Sequence, residues 1–459
     1  KNTIGSGQNV NIEFVSANPT GPLHAAHARG AILGDVLANL MQFSGYNVTR
    51  EYYINDAGSQ ITTLSQSAFI RYREALGEAL EAIPAGLYPG DYLIEVGQYL
   101  ADNYGDSLKQ LSEDEIIEKI GPIAVDLMMQ SIRKDLARLG IVMDIYSSEN
   151  QLVKEGKVAS AIQKLQSDNL IYRGKPEPPK GKLDEDWEPR EQLLFRSKDF
   201  GDDVDRPLQK SDDSWTYFAS DVAYHYDKLE RTDGKLIDVL GADHSGYVKR
   251  MTAAVQAMSG KQDRLQVKQC GLVSLLDKGK PVKMSKRAGT FVTLSDVIDA
   301  VSADVMRFVM LTRRNDQPLE FDYAKVTEKS RENPVFYVQY AHARAKSVLR
   351  QNQKPSGTPN LSLLTDIFEI RVIKQLASWP KQVEAATHHC EPHRIAFYLM
   401  ELAAVFHGLW NAGRENHDLK FIHDTDDELT HARMLLVETT AQVLKSGLNL
   451  LSITAVEEM

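Results

Sequence analysis

The chain is poor in cysteine and has no long apolar run. Its 459 residues include two cysteines, Cys270 and Cys390, which lie far apart in the sequence. Two such thiols cannot form a disulfide framework or a four-thiolate zinc site, so we expect no protein-bound zinc and a reducing, cytoplasmic environment. No stretch of about eighteen apolar residues occurs, so we expect no membrane span.

An excess of basic residues is also missing, and so is a signal segment. The net charge of −10 does not exclude nucleic acid as a partner, because a local basic face can supply the phosphate contacts. The chain starts at Lys1 and no basic-apolar segment follows, so we expect a fragment or a processed form rather than a secreted protein. With 42% hydrophobic and 25% charged residues, the composition is typical of a globular protein of roughly two to three domains.

The N-terminal part of the sequence predicts one βαβ unit. Apolar residues alternate over residues 10–14, which is typical of a strand. A loop with two prolines follows, then a helical pattern over residues 23–43 that ends near Gly45, then a second strand over residues 48–54. Strand, helix and strand in this order require a right-handed crossover between parallel strands.

The sequence that follows predicts a parallel α/β sheet with a helical insertion. Residues 57–139 are mostly helical and are interpreted as the insertion. Thr293 and Asp296 have the spacing of a capping box, which predicts a helix that runs toward Arg313. Between these segments, strands alternate with helices, which argues for a parallel sheet. The predicted strands are residues 141–146, 192–196, 214–218, 236–240 and 266–275, and the predicted helices are residues 150–167, 219–231 and 244–258.

Strand patterns are absent from the last third of the sequence. Asn333 and Pro334 suit the N-cap and the first residue of a helix, and a polar linker over residues 352–360 separates this helix from further helical segments. We therefore predict a Rossmann-like α/β domain over residues 1–324, built on a parallel sheet, and an all-α bundle over residues 325–459.

The first chemical motif is His24-Ala25-Ala26-His27, which ends the loop after the first strand and opens the predicted helix. Nucleotides bind where loops leave the carboxyl ends of parallel strands, and a helix N-terminus offers free N–H groups and positive potential to phosphates. Two histidines three residues apart share one helix face and can both donate to phosphate oxygens. The pair is also compatible with a metal site, or with two polar residues that close the loop.

The second motif is a basic loop, Lys283-Met284-Ser285-Lys286-Arg287, which follows the predicted strand over residues 266–275. It places three cations beside a small hydroxyl group. Lysine acts as a movable point charge on phosphate oxygens, so such a loop suits a polyphosphate. A solvated basic turn is the alternative interpretation, and it is the more common one for a run of charges.

Together, the two motifs resemble the signatures of class I aminoacyl-tRNA synthetases. His24-Ala25-Ala26-His27 is similar to their H-I-G-H motif, and Lys283 to Arg287 is similar to their K-M-S-K-S loop. Longer segments are similar to the arginyl-tRNA synthetase family, and this resemblance runs from about Val10 to Met459. These segments are Val15-Ser16-Ala17-Asn18-Pro19-Thr20-Gly21-Pro22-Leu23-His24, His27-Ala28-Arg29-Gly30, Tyr52-Tyr53-Ile54-Asn55-Asp56-Ala57-Gly58 and Tyr337-Val338-Gln339-Tyr340-Ala341-His342-Ala343-Arg344.

Three features depart from the family pattern. Ala26 stands where the family usually has glycine, which places a methyl group beside the expected adenine. Arg287 takes the place of the last serine of the second motif. We also expect that the additional N-terminal tRNA-binding domain of the family is missing ahead of the first strand, in agreement with the start at Lys1.

The resemblance implies an arginine–tRNA ligase whose substrates are ATP, L-arginine and tRNA(Arg). Arginine would attack the α-phosphorus of ATP, pyrophosphate would leave, and the arginyl group would then pass to the terminal adenosine of the tRNA. Such chemistry depends mainly on positioning and charge stabilisation. His24 and His27 would hold ATP phosphates, Lys283 and Lys286 would stabilise charge on the phosphorus and the pyrophosphate, and Mg²⁺ would arrive with ATP. The other implied ATP-binding residues are Pro22, Leu23, Gly241, Asp243, Met284 and Ser285.

Recognition of arginine requires carboxylates, because a guanidinium is planar, always charged and suited to a forked contact. By resemblance, the arginine-binding residues are Asn18, Glu149, Tyr217, Asp221 and His244. Alternatives remain open for three of them. Asp221 and Glu149 also lie where helix caps are expected, and Tyr217 is also compatible with a core position.

The helical domain is implied to bind the anticodon of the tRNA. The resemblance indicates Tyr340, His342, Arg344, Trp410 and Asn411, and stacking on aromatic side chains is the usual device for unpaired bases. The same residues are also compatible with a solvated helix face. We expect the protein to be a monomer.

Three other functions remain compatible with the sequence. Cysteinyl and methionyl synthetases share the sheet and the helical domain, but they typically use thiolate-bound zinc. A simpler nucleotidylyltransferase shares the His-x-x-His feature, but it lacks a large helical C-terminal domain. A synthetase-like tRNA-binding protein that has lost its activity is the non-catalytic alternative, and the intact histidines and lysines of the two motifs argue against it.

Overall fold

The computed structural model describes residues 3–79, 83–177, 190–210, 212–242, 245–282, 292–328, 333–351, 357–423 and 425–459. The strands in these residues are β1 (Asn9–Glu13), β2 (Asn47–Ile54), β3 (Ile145–Ser148), β4 (Ile171–Gly174), β5 (Gln192–Phe195), β6 (Arg206–Gln209), β7 (Lys235–Gly241), β8 (Leu265–Cys270), β9 (Val273–Asp277), β10 (Lys280–Pro281) and β11 (Leu319–Asp322).

The α-helices occur throughout the chain and dominate its last part. They are α1 (Ala25–Phe43), α2 (Ser59–Ala75), α3 (Tyr92–Tyr104), α4 (Glu113–Arg138), α5 (Glu149–Lys154), α6 (Lys157–Ser167), α7 (Tyr217–Arg231), α8 (Ser245–Ser259), α9 (Leu294–Val301), α10 (Ala303–Val309), α11 (Tyr323–Val326), α12 (Pro334–Gln351), α13 (Ile367–His389), α14 (His393–Glu415) and α15 (Asp427–Leu450).

A parallel sheet of five strands lies at the centre of the first domain, in the order β3-β2-β1-β7-β8. Every neighbouring pair in it is parallel, which confirms the predicted parallel-sheet α/β class. β1 is the middle strand, and the chain pairs β2 on one side of it and β7 on the other. The loops after β1 and β7 therefore diverge at a topological switch point, where ligands bind in open α/β sheets.

Helices cover both faces of this sheet. On one face, α1 packs closely, and a Cβ atom at Gly34 would lie only 2.2 Å from the ring of Phe14. On the other face, α6, α7 and α8 form a separate apolar cluster that includes Phe218 and Leu236. Because both faces are covered, β1 buries the polar side chains of Asn11 and Glu13 as well as Val10 and Ile12, and β7 buries Asp238.

The segment between β2 and β3 holds three long helices, α2, α3 and α4, in agreement with the helical pattern of this part of the sequence. They enclose their own apolar cluster, which includes Tyr72, Leu100 and Ile120. Ser112 and Glu115 form a reciprocal capping box at the start of α4, which satisfies two of the free N–H groups of its first turn.

Several strand predictions need correction. Of the strand predicted over residues 214–218, Trp215 forms only an isolated antiparallel bridge with Gln209, and α7 begins at Tyr217. The Thr216 hydroxyl oxygen accepts a hydrogen bond from the backbone N–H of Ala219 at 3.2 Å and caps this helix. The prediction over residues 192–196 does correspond to a strand, β5. However, β5 pairs antiparallel with β4 and β6 in a small separate sheet, and not with the central one.

The single strand predicted over residues 266–275 is divided at Gly271. β8 belongs to the central sheet, whereas β9 pairs with β10 and β11 in a second small sheet. The division coincides with a close backbone contact, since a Cβ atom at Gly271 would lie 2.4 Å from the carbonyl oxygen of Gln317. The helix predicted from Thr293 begins with the expected capping box, but Ser302, with a φ of 76°, divides it into α9 and α10.

Helices α12 to α15 form the second, all-α domain, as predicted. α12 begins at Pro334, and the side chain of Asn333 accepts a hydrogen bond from the backbone of Phe336 at 3.4 Å. α14 is long and apolar enough to cross a membrane by composition, but it packs against α12, α13 and α15, and 56% of its apolar window is buried. Core helices of globular proteins have the same character. Residues 352–356 of the predicted linker lie outside the described residues.

The two domains share buried contacts. Arg307 of α10 is fully buried, and its guanidinium donates to the carbonyl oxygens of Leu451 at 2.5 Å and Leu139 at 2.7 Å. The same guanidinium pairs with Asp35 of α1. Since Leu451 directly follows α15, the hydrogen bonds of this arginine link the end of the helical domain to the α/β domain.

Candidate active site

The predicted histidine pair lies at the N-terminus of α1. His24 is the N-cap, its backbone N–H donates to Nδ1 of His27 at 3.3 Å, and the two rings stack with centroids 3.7 Å apart. Because Nδ1 of His27 accepts a hydrogen bond, its neutral ring carries the proton on Nε2 and can donate there. Ala26, the second residue of the helix, is exposed. The helix end thus brings two stacked imidazoles to the positive end of the helix dipole, which suits a phosphate group.

The segment that follows the second motif is tied to this helix end. His24 and Thr293 form an isolated antiparallel bridge, and the backbone N–H of Leu294 donates to the carbonyl oxygen of Leu23 at 2.7 Å. On the other side of the motif, the backbone N–H of Val282 donates to Leu275 in β9 at 2.9 Å. The motif itself, with Lys283, Met284, Ser285 and Lys286, lies outside the described residues.

The loop that leaves β1 has an unusual backbone. Val15 and Ser16 have φ angles of 70° and 39°, and a β-branched residue rarely adopts a positive φ. This bend lets the Ser16 hydroxyl donate to the Glu13 carboxylate at 2.9 Å and accept from the backbone N–H of Tyr53 at 3.1 Å. The loop therefore fixes Glu13 at the carboxyl end of the central strand.

Three carboxylates act on the hydroxyl group of Tyr53, which lies in β2. Burial and the charges of Glu149, Asp221 and Glu13 together raise the pKa of the Tyr53 hydroxyl. Burial also raises the pKa of Glu149, although side-chain hydrogen bonds with Tyr53 and Ser220 act against it. Glu13 is the last residue of β1, whereas Glu149 and Asp221 lie near the starts of α5 and α7, so three elements contribute to one acidic pocket. Such a pocket suits a planar cation with several N–H donors.

The other predicted arginine-binding residues lie at the rim or outside the described residues. Asn18 is exposed and accepts a hydrogen bond from the side chain of Asn55 at 3.3 Å. Tyr217 is 59% exposed, and a Cβ atom at Gly58 would lie 3.8 Å from its hydroxyl oxygen. The core alternative for Tyr217 is therefore wrong, since its ring lies at the surface beside the turn after β2. His244 falls outside the described residues.

The predicted ATP-binding residues of the described chain lie on the loops after β1 and β7. Leu23 is buried and Pro22 is half-buried, so both shape the loop that leads to His24. Gly241 is the last residue of β7 and is exposed. Because β1 and β7 are parallel neighbours, both loops leave the same edge of the sheet. Asp243 lies outside the described residues.

A buried ionic cluster lies directly below the acidic pocket. The ammonium group of Lys228, which has no exposed surface, contacts the Glu13 carboxylate and lies 3.0 Å from Oδ1 of Asp238. Burial alone would lower the pKa of Lys228, but Asp238 and Glu13 outweigh it and raise the pKa. Oδ2 of Asp238 lies 2.8 Å from Nε2 of His225. Glu13, His225 and Asp238 also place three ligand atoms within 4.8 Å of one another, but Lys228 already supplies the positive charge there.

Three residues of this pocket were missed in the sequence, namely Glu13, Ser16 and Tyr53. Glu13 reads as a polar position of an alternating strand, and Tyr53 reads as a strand residue of β2. Only the carboxyl end of β1, next to a loop with phosphate-binding features, could have indicated Glu13. The approach of Tyr53 to Glu149 and Asp221 depends on strand pairing, which no local pattern contains.

The predicted tRNA-binding residues of α12 and α14 form a cationic and aromatic surface. The guanidinium carbon of Arg344 lies 4.3 Å from the ring centroid of Tyr340 and 4.5 Å from that of Trp410. Tyr340 is 37% exposed and Asn411 is exposed. The prediction for His342 is wrong, because its ring is 1% exposed and bonds to the carbonyl oxygen of Val456 at 2.8 Å.

A cavity of about 380 Å³ opens beside this surface. Trp410 and Phe421 provide aromatic walls, and Arg414 and Lys420 provide positive charge. An aromatic wall with nearby cations is the usual composition of a site for an unpaired nucleotide.

Comparison with known proteins extends over the entire chain. The family described as "tRNA synthetases class I (R), catalytic domain" matches residues 1–331, and the "DALR anticodon binding domain" matches residues 338–459. The arginine–tRNA ligase of Ruegeria pomeroyi is 55% identical over 467 aligned residues, which cover 100% of this chain and 80% of that protein.

Solved structures share the fold. A crystal structure from Campylobacter jejuni, described as that of a proposed arginyl-tRNA synthetase, has a TM-score of 0.82 at 31% identity and covers 98% of this chain and 94% of that chain. The arginyl-tRNA synthetase of Thermus thermophilus has a TM-score of 0.77 at 21% identity, with 98% and 83% covered. By its match to the arginine-type catalytic family and by 55% identity to a relative along its full length, this chain belongs to the arginyl-tRNA synthetase family.

Proposed function

We propose that this chain is an arginine–tRNA ligase that activates L-arginine with ATP and transfers it to the 3′ end of tRNA(Arg). The observation that carries the proposal is the acidic pocket of Glu13, Glu149 and Asp221 around Tyr53. This pocket opens at the same edge of the sheet as the histidine-capped end of α1, so a guanidinium substrate and ATP phosphates can be held on neighbouring loops.

In the ATP half of the site, His24 and His27 donate to phosphate oxygens at the N-terminus of α1. Lys283 and Lys286 stabilise the charge that develops on the phosphorus and on the leaving pyrophosphate. The bridge between His24 and Thr293 supports this arrangement, because it holds the end of the segment that follows these lysines against the start of α1. Mg²⁺ enters as part of the ATP substrate.

In the arginine half, Asp221 and Glu149 accept N–H groups of the guanidinium, and Glu13 adds negative charge from the end of β1. Tyr217 and Asn18 contribute from the rim, with His244 on the loop after β7. A site built for several N–H donors rejects amino acids that lack them, because buried carboxylates would remain unpaired. Selection for arginine follows from this chemistry.

In the helical domain, Tyr340, Arg344, Trp410 and Asn411 contact the anticodon of tRNA(Arg). An unpaired base stacks on the exposed ring of Tyr340 or enters the cavity beside Trp410, and Arg344 adds a cation next to both rings.

We also propose that the enzyme is a cytoplasmic monomer that is not bound to membranes and does not hold zinc, since Cys270 and Cys390 are separate buried thiols. Elemental analysis of the purified protein tests the absence of zinc, and light scattering tests the monomeric state.

Arginine-dependent exchange of pyrophosphate into ATP tests the function, measured with and without tRNA(Arg). We expect exchange that requires arginine and is not supported by lysine or methionine. Exchange that appears only with tRNA also supports the proposal. If no exchange occurs under either condition, the chain is not an active ligase, and the tRNA-binding protein without activity becomes the better interpretation. Ala26→Gly, which removes the exposed methyl group, is then the first variant to measure.

Replacement of His27 with alanine tests the phosphate site. Loss of one donor to developing negative charge typically costs about 10²- to 10³-fold in turnover, and we expect a loss of this size in kcat for exchange. The KM for arginine should change little, because His27 belongs to the ATP half. His431→Ala on α15 is the matched control and should leave exchange unchanged. A loss smaller than about threefold for His27→Ala would place His27 outside the reacting phosphates.

A further inference from the structure

His225 lies one helical turn after Asp221 and is 1% exposed. Its Nδ1 is 2.8 Å from the backbone carbonyl oxygen of Asp221, and its Nε2 is 2.8 Å from Oδ2 of Asp238. Both partners can only accept hydrogen bonds, so both ring nitrogens must donate. An imidazole carries two donors only in its protonated form, and the geometry therefore assigns a positive charge to His225.

Charged groups from every neighbouring element bear on this ring. Asp238 of β7 is its direct partner, Glu13 of β1 adds a second negative charge, and Lys228 of α7 opposes both. Burial lowers the pKa of His225, but the Asp238 carboxylate outweighs it, and the net effect is a raised pKa. Lys228 and His225 each occupy one oxygen of Asp238, so this carboxylate does not need the pocket cation for its own neutralisation.

The carboxylate of Asp221 depends on this buried charge. Burial, together with smaller contributions from Glu149 and Glu13, raises the pKa of Asp221 to about 7, even though His225 and then Arg250 of α8 lower it. Among the described residues, Tyr247 and Tyr53 are further titratable groups that interact with it, and both are neutral at pH 7 because burial raises the pKa of each. Among the described residues, His225 is therefore the largest opposing charge on a carboxylate whose pKa lies close to neutral pH.

We propose that His225 is a positioning residue that favours the ionised form of Asp221, and thereby sets the affinity of the enzyme for arginine at neutral pH. The inference rests on the proposed role of Asp221 in guanidinium binding. A protonated Asp221 would offer the guanidinium one acceptor and one competing donor, which is a poor match for a forked contact. The imidazole bonds to the backbone carbonyl oxygen of Asp221 and to Asp238, so its hydrogen bonds do not use the carboxylate oxygens that arginine would contact.

The KM for arginine as a function of pH, measured by exchange with wild type and His225→Gln, tests this inference. A unit charge at contact range shifts the pKa of a carboxyl group by about 1 to 3 units, so we expect KM for arginine to rise about tenfold at pH 7 in His225→Gln. It should return toward the wild-type value near pH 9, where Asp221 ionises without help. The KM for ATP should stay within about twofold. His225→Lys, which restores a buried cation, should recover part of the loss.

His393→Gln is the matched control, since His393 is also a buried histidine but lies at the start of α14, away from the pocket. It should leave the arginine profile unchanged. If Asp221→Asn weakens arginine but His225→Gln has the same pH profile as wild type, the inference is wrong and the pocket assignment holds. If Asp221→Asn itself has no effect, the proposed function of the pocket is wrong.

A second measurement does not depend on the stability of the variant. The ¹⁵N chemical shifts of the His225 ring in the wild-type enzyme distinguish an imidazolium from either neutral tautomer. We expect the shifts of a doubly protonated ring at pH 7.5. A neutral ring at this pH would overturn the inference.

Discussion

Replacement of Asp221 with asparagine is expected to lower kcat/KM for arginine by about 10²- to 10³-fold. The variant keeps the size of the side chain but removes one charge from the acidic pocket, and loss of one partner of a buried charged pair typically costs about 2–5 kcal/mol. Each 1.4 kcal/mol corresponds to about tenfold in binding. The backbone carbonyl oxygen of Asp221, which bonds to His225, is unaffected, so α7 should keep its structure.

Most of the loss should occur in the KM for arginine, with the KM for ATP close to that of wild type, because the ATP half of the site is built from other loops. Asp213→Asn is a suitable control. Asp213 is exposed and has a φ of 64°, a conformation that asparagine also adopts readily. Equal KM values for arginine in Asp221→Asn and wild type would remove Asp221 from the guanidinium site.

The second large effect concerns stability, and it arises from Lys228. Lys228→Met should lower the free energy of unfolding by about 3–5 kcal/mol, because removal of one partner of a buried ion pair leaves uncompensated charge. Here the Glu13 and Asp238 carboxylates both lose their shared cation. Urea unfolding followed by circular dichroism measures the change, with Lys164→Met as the control. Lys164 forms an exposed pair with Asp168 in α6, for which less than about 1 kcal/mol is expected.

The stability difference should depend on pH in a defined direction. Lys228 and His225 hold the pKa of Asp238 below its usual range in spite of burial, which alone would raise it. A carboxyl group with a lowered pKa stabilises the fold above its unfolded pKa and loses this contribution as the pH falls through the folded value. The difference between wild type and Lys228→Met should therefore be largest near pH 7 and shrink in acid. A difference that grows as the pH falls would contradict the role of this cluster.

The sequence predicts the class of the fold well, because strand and helix periodicities over long segments are strong local signals. It fails where two local signals compete. Residues 214–218 alternate like a strand, but the side chain of Thr216 caps a helix, and the alternation does not reveal this. The strand over residues 192–196 is real, but its antiparallel partners β4 and β6 are short and lie apart from it in the sequence. Sheet membership is a property of pairing and not of the strand itself.

A residue of the site could be predicted from the sequence where signals in its own element indicate its role. His24, Asp221 and Glu149 lie at the ends of elements, where motif and capping signals are found. Glu13 and Tyr53 become functional only through neighbours from other elements, since β1, β2, α5 and α7 meet at the pocket. His342 is the opposite case. Its motif on α12 predicts a binding residue, but Val456 near the chain end buries its side chain.

The helix that begins at the histidine pair also has a consequence for modularity. Along its length, α1 contacts β2 and β7 of the sheet as well as α13 and α15, and one apolar cluster includes Leu37 of α1 and Val437 of α15. A boundary drawn between the two domains in sequence therefore does not separate their interiors. Either half made alone would expose a large apolar area to water, which favours aggregation. Replacement of the helical domain with that of a relative should succeed only when the residues of α1 that contact this domain are replaced as well.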